Sequence, residues 1–63
     1  MSFAENFKKA RKEAGLTQKQ VADALGLNRS TVTYYETGVS MPNPRNLGKI
    51  QELLNISIEE LLI

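Results

Sequence analysis

The chain has 63 residues, eight Lys and Arg against seven Asp and Glu, and no Cys and no His. That length holds one small domain with a modest core. The missing residue types exclude disulfides, thiol and imidazole chemistry, and nearly all zinc sites. A net charge of +1 does not by itself announce a polyanionic partner. Its distribution says more: Lys8, Lys9, Arg11 and Lys12 crowd the first segment, and Glu52, Glu59 and Glu60 the last. The bland reading of the lysines is a solvated helix face; the bolder one turns the basic end toward phosphates. No apolar run approaches the roughly 20 residues of a membrane span. Charges at Glu5, Lys8 and Lys9 fall where a signal peptide needs its apolar stretch. The expectation is a cytoplasmic protein with no membrane association.

Five short helices are predicted in chain order. Ser2 and Glu5 form a capping box, so the first helix runs to about Ala14 with Phe3, Phe7, Ala10 and Ala14 on one apolar face. Gly15 stops it. Thr17 caps the second helix (about 17–25) with Gln20 as its box partner, and Leu16 staples onto Val21. Leu27-Asn28-Arg29-Ser30-Thr31-Val32 repeats that plan: Asn28 caps the third helix (about 28–37) and Leu27 staples onto Val32. After Thr37-Gly38 comes a loop, Val39 to Asn43. Asn43-Pro44 then opens a fourth helix that buries Leu47, Ile50 and Leu54. Ser57 and Glu60 box a brief fifth helix, with Ile56 stapled onto Leu61. No segment alternates with a period of two, so no sheet is expected. The fold class is all-α, one domain over residues 1–63.

Helices two and three, at about 17–37, meet the demands of a helix-turn-helix. The turn is short and contains Gly26, where positive φ is needed, and the small Ala22 lets the two backbones approach. Val21, Leu25, Val32 and Tyr35 point inward. That leaves Arg29, Ser30, Thr33, Tyr34 and Thr37 outward on helix three, polar and without an acidic group.

An ordered set of residues resembles the phage repressor and Cro type of helix-turn-helix proteins, the XRE-like family. The set is Arg11, Gly15-Leu16-Thr17-Gln18, Val21-Ala22, Leu25-Gly26, Ser30-Thr31-Val32, Tyr35-Glu36-Thr37-Gly38, Pro42 and Ser57 to Leu62. It covers nearly the whole chain. The resemblance implies a five-helix, lambda-repressor-like DNA-binding domain, a transcriptional regulator, most often a repressor, reading an operator through helix three in the major groove. Base-reading positions are Gln18, Asn28, Arg29, Ser30, Thr33 and Tyr34. Phosphate positions are Thr17, Gln18, Lys19, Thr37, Ser40, Asn43 and Arg45. Arg11 and Glu36 match a pair that relatives join as a salt bridge. Relatives often carry more basic residues after helix three, where this chain has Val39, Ser40 and Met41; Arg45 and the backbone around Asn43 are the substitutes.

Each position also has a plain reading. Arg29 is an exposed arginine, but a positive charge at a helix start opposes the dipole, so helix stability does not explain it. Ser30 and Thr33 read equally as solvated. Tyr34 and Tyr35 cannot share a face; Val32, three residues before Tyr35, makes Tyr35 the core member. Phe3 and Phe7 are core rather than a partner stripe. Met41, Ile58, Leu62 and Ile63 are candidates for a weak homodimer completed on a palindromic double-stranded operator, or else they close a monomer's core. A protein-interaction or antitoxin-like module on the same fold is the rival reading. An enzyme is the weakest reading: there is no phosphate-binding glycine loop and no metal-ligand cluster, and the adjacent Glu59 and Glu60 diverge on a helix. No cofactor and no small-molecule ligand are expected.

Overall fold

A computed structural model describes residues 2–63. It contains five helices: α1 Phe3–Glu13, α2 Gln18–Leu25, α3 Arg29–Thr37, α4 Pro44–Leu54 and α5 Ile58–Leu62. Their starts follow from local chemistry. Ser2, Thr17 and Ser57 each close a complete capping box with Glu5, Gln20 and Glu60. Asn43 accepts from the Asn46 amide at 2.8 Å, and Pro44 occupies the first turn, where no amide is needed.

The helix ends repeat one device. After α2, Gly26 adopts φ +70°, and the Leu27 amide reaches back to the Ala22 carbonyl at 2.8 Å. After α3, Gly38 adopts φ +82°, and the Val39 amide reaches the Tyr34 carbonyl at 3.0 Å. A side chain at either glycine would be strained in that left-handed turn. In this motif the residue after the turn usually tucks back onto the helix. Leu16, Leu27 and Ile56 do so and pack against the core, whereas Val39 stays 69% exposed.

The core joins all five helices through Phe3, Phe7, Ala10, Val21, Ala22, Leu25, Val32, Tyr35, Ile50, Leu54 and Leu61. Phe7 sits at its centre, stacked on Phe3 at 5.7 Å and edge-on to Tyr35 at 6.0 Å. α1 packs on α3 and α5, and α2 packs on α3 and α4. The inward face expected for the α2–α3 pair, Val21, Leu25, Val32 and Tyr35, is buried throughout.

Three expectations are corrected. Ala14 does not join the apolar face: α1 ends at Glu13, and Ala14 is its exposed C-cap. Arg11, one helical turn beyond Phe7, lies on the inner side instead and is buried. Leu47 is only half-buried, while Ile50 and Leu54 are buried. Asn28 occupies the N-cap position of α3 with extended backbone, but its side chain makes no capping hydrogen bond. Among the described residues no helix is long and apolar enough to cross a membrane.

Candidate nucleic-acid interface

The site is built on the α2–α3 pair and stiffened from behind by one ion pair. Arg11 Nε and Nη2 donate to the two carboxylate oxygens of Glu36, and Nη1 donates to the Leu16 carbonyl at 2.7 Å. The two side chains are only 10% and 3% exposed. Three donors thus tie the end of α1 to the end of α3 and to the approach to α2. A charge pair this deep is tolerated because its hydrogen bonds are satisfied on both sides.

Glu36 also holds the first residue of α2. Gln18 Nε2 donates to Glu36 Oε1 at 3.1 Å, and Thr33 Oγ1 donates to Gln18 Oε1 at 3.1 Å. The half-buried Gln18 side chain therefore bridges the two helices. Expected to reach bases and phosphate, it has both ends of its amide hydrogen-bonded within the protein. The pairing Arg11–Glu36 was foreseen; the extension through Gln18 to Thr33 was not.

On α3, Arg29, Ser30, Tyr34 and Thr37 are exposed, and Thr33 is half-buried among them. The Asn28 side chain is exposed and uncapping, so its amide is free at the start of the same face. Beside it lies an open concavity lined by Arg11, Gly15, Leu16, Thr17, Gln18, Lys19 and Arg29, at the mouth of α2. Thr17 Oγ1 accepts from the Gln20 amide at 3.0 Å, which leaves its own proton to donate. Lys19 is exposed and meets Asp23 at 3.5 Å across a turn of helix, a contact with little hold on the ammonium. The mouth of α2 therefore offers a cation, a hydroxyl proton and a helix N-terminus, the donors an anion needs.

The remaining expected phosphate positions divide. Arg45 and Asn43 are exposed at the start of α4, and Ser40 is half-buried in the loop before it. Asn43 Oδ1 is taken by its cap, so its Nδ2 is the group left to donate. Thr37 Oγ1 is 3.1 Å from the Thr33 carbonyl and 3.4 Å from that of Tyr34. Its single proton points into the helix, and a phosphate contact there requires the hydroxyl to turn out.

Sequence reasoning missed Asn6. It is buried on α1 and its Nδ2 donates to the carbonyls of Leu61 at 3.0 Å and Ile63 at 2.8 Å, fastening α5. An asparagine among the helix's apolar positions was the available signal. Of the apolar candidates for a dimer surface, Met41, Leu62 and Ile63 are exposed and Ile58 is half-buried; Ile63 gives its carbonyl to the Asn6 tie while its side chain stays exposed.

Comparison with known proteins agrees with this fold. The helix-turn-helix family profile matches residues 7–61. The uncharacterized HTH-type transcriptional regulator YqaE of Bacillus subtilis is 43% identical over 60 residues, 95% of this chain and 52% of that protein. The cryptic phage CTXphi transcriptional repressor RstR of Vibrio cholerae is 39% identical over 61 residues, 97% of this chain and 54% of that protein. The crystal structure of a transcriptional regulator from Listeria innocua superposes with a TM-score of 0.88 at 36% identity, over 97% of this chain and 57% of the other. The chain thus spans about half the length of the relatives it matches. With five helices in the same arrangement and a match over nearly all of its length, the chain belongs to the helix-turn-helix family.

Proposed function

We propose that this chain binds double-stranded DNA in a sequence-specific way and regulates transcription, as a repressor, by binding rather than by catalysis. The observation that carries this is the outer face of α3. Asn28, Arg29, Ser30 and Tyr34 stand exposed there with no acidic neighbour on that face, directly beside the donor-rich mouth of α2. An exposed tyrosine and an arginine at a helix start are poorly explained by stability alone, and both suit a major groove. α3 lies in the groove; Arg29, Ser30, Thr33 and Tyr34 meet base edges; Thr17, Lys19, Asn43 and Arg45 meet the flanking phosphates. Relatives named as transcriptional regulators and as a phage repressor support the reading.

One such helix reads about half a helical turn, so a single domain binds weakly. A weak homodimer on a palindromic site places two reading helices about 34–36 Å apart. Val39, Met41, Leu62 and Ile63, all exposed and apolar, with the half-buried Ile58, are the surface we assign to it. The protein acts in the cytoplasm.

The test is titration of a labelled random duplex at several salt concentrations, then of a selected site. Affinity that falls steeply and linearly with log salt, and a selected site bound far more tightly than random duplex, is the expected result. Sedimentation with a palindromic duplex gives two chains per duplex; a one-to-one complex at every protein concentration rejects the dimer. Absence of any duplex binding at low salt rejects the whole reading.

A further inference from the structure

The hydrogen bonds of Thr33 have a definite direction, and that direction fixes what the residue can recognise. Glu36, paired with Arg11, offers Gln18 only acceptor oxygens, so Gln18 must turn its NH2 toward the carboxylate, at 3.1 Å. Gln18 Oε1 then faces Thr33 Oγ1, also at 3.1 Å, and can only accept. The other partner within reach of that hydroxyl is the Arg29 carbonyl at 3.3 Å, again only an acceptor. A threonine hydroxyl has one proton and two lone pairs. Whichever of the two partners takes the proton, Thr33 has only lone pairs left to offer outward. Thr33 lies between Arg29, Ser30 and Thr37 on the face assigned above to DNA.

In the major groove, adenine N6 and cytosine N4 are hydrogen-bond donors, while guanine O6 and thymine O4 are acceptors. We infer that Thr33 is a specificity-determining residue: held by the Arg11–Glu36–Gln18 chain as a pure acceptor, it selects a base carrying an exocyclic amine, adenine or cytosine, and rejects guanine and thymine at that position. The inference rests on the reading of α3 as the groove helix. Glu36 and Gln18 act as positioning residues that set the direction of the hydroxyl, without themselves touching the base.

The experiment is selection of sites from a random duplex pool by the 63-residue chain, by Thr33→Val, which keeps the shape and deletes the hydroxyl, and by Thr33→Ser. The expected result is one position that is adenine or cytosine for the native chain and for Thr33→Ser and is indifferent for Thr33→Val, the other positions being shared by all three. At that position the base is then replaced by its analogue lacking the amine, purine for adenine or 2-pyrimidinone for cytosine. The native chain should lose roughly three- to ten-fold in affinity, the worth of one hydrogen bond, and Thr33→Val nothing further. If the valine variant folds poorly, Thr33→Ala makes the same deletion with a better helix former. A Thr33-dependent preference for guanine or thymine overturns the inference, because the hydroxyl is then donating. So does selection by the hydroxyl-free variants that matches the native chain at every position: DNA reading by α3 then stands and the role of Thr33 falls. If the native chain selects no site, the reading of α3 falls first, and this inference with it.

Discussion

The two helices of the turn open on matching sequences and end with different hydrogen bonds in their first turns. Leu16-Thr17 and Leu27-Asn28 both supply an apolar residue followed by a capping type. At α2 the box closes in both directions, Thr17 to the Gln20 amide at 3.0 Å and the Gln20 side chain to the Thr17 amide at 2.8 Å. Gln18 beside it is drawn inward to Glu36 and Thr33. At α3 the cap side chain is idle and the next two residues, Arg29 and Ser30, are exposed. The start of α2 engages its capping box and the Gln18 amide within the fold; the start of α3 leaves its polar side chains exposed. On the proposed function, the difference separates a helix that positions from a helix that reads, although their sequence signals look alike.

The largest expected effect comes from breaking the holding side. Glu36→Gln leaves the Arg11 guanidinium buried without its countercharge and weakens the anchor of Gln18. Stability should fall by about 3 kcal/mol, a large part of what a domain of this size has. Urea unfolding checks it, and an unchanged midpoint would place the pair's worth near zero. On the reading side, Arg29→Ala should leave unfolding nearly unchanged while weakening specific binding by roughly 1–3 kcal/mol and relaxing one base pair. Equal weakening on all duplexes would make Arg29 a phosphate contact.

The two caps give the sharpest contrast at smaller size. Thr17→Ala should cost about 1 kcal/mol of stability through loss of its capping bond. Asn28→Ala has no such bond to lose and should stay within about 0.5 kcal/mol, with its effect appearing in DNA affinity. Equal losses from both variants would erase the distinction drawn above. The smallest effect is at α1. There the Ser2 backbone amide, and then its hydroxyl, hydrogen-bond the exposed Glu5 carboxylate and hold its pKa below the ordinary glutamate value. The charged form is the one favoured by folding. This contribution is therefore present above the unfolded-state pKa and is lost as pH falls through the lowered folded-state value. An NMR titration should show Glu5 protonating at lower pH than in Ser2→Ala.

What was legible in the sequence was local or periodic. Capping boxes span three residues, left-handed helix ends announce themselves as Gly26 and Gly38, and the stripe through Phe3, Phe7 and Ala10 needs only a period of 3.6. What was not legible is long-range and polar. Asn6 is explained by carbonyls 55 and 57 residues away, and Gln18 by acceptors and donors on α3. The resemblance made Gln18 a DNA contact, and the local motif made Asn28 a cap. The fold gave Gln18 an internal role and left the Asn28 side chain free, because both outcomes depend on which side chains arrive from other helices. Arg11–Glu36 was available only through resemblance, since nothing near Arg11 in sequence calls for a partner 25 residues on. Val39 shows the limit of the local rule: it follows Gly38 as Leu27 follows Gly26, yet Leu27 packs on the core and Val39 does not.

On the proposed function, the outer face of α3 and the mouth of α2 carry the main contact with DNA, the loop and start of α4 at Ser40 to Arg45 lie at its flank, and α1 and α5 stay clear of it. Backbone amide NMR of the protein titrated with duplex DNA at low salt tests it residue by residue. The largest shifts should fall on Thr17 to Lys19 and on Asn28 to Tyr34, with smaller ones at Ser40 to Arg45 and almost none at Phe7 or along the exposed side of α1. Shifts concentrated on α1 or α5, with Arg29, Ser30 and Tyr34 unmoved, would contradict the account.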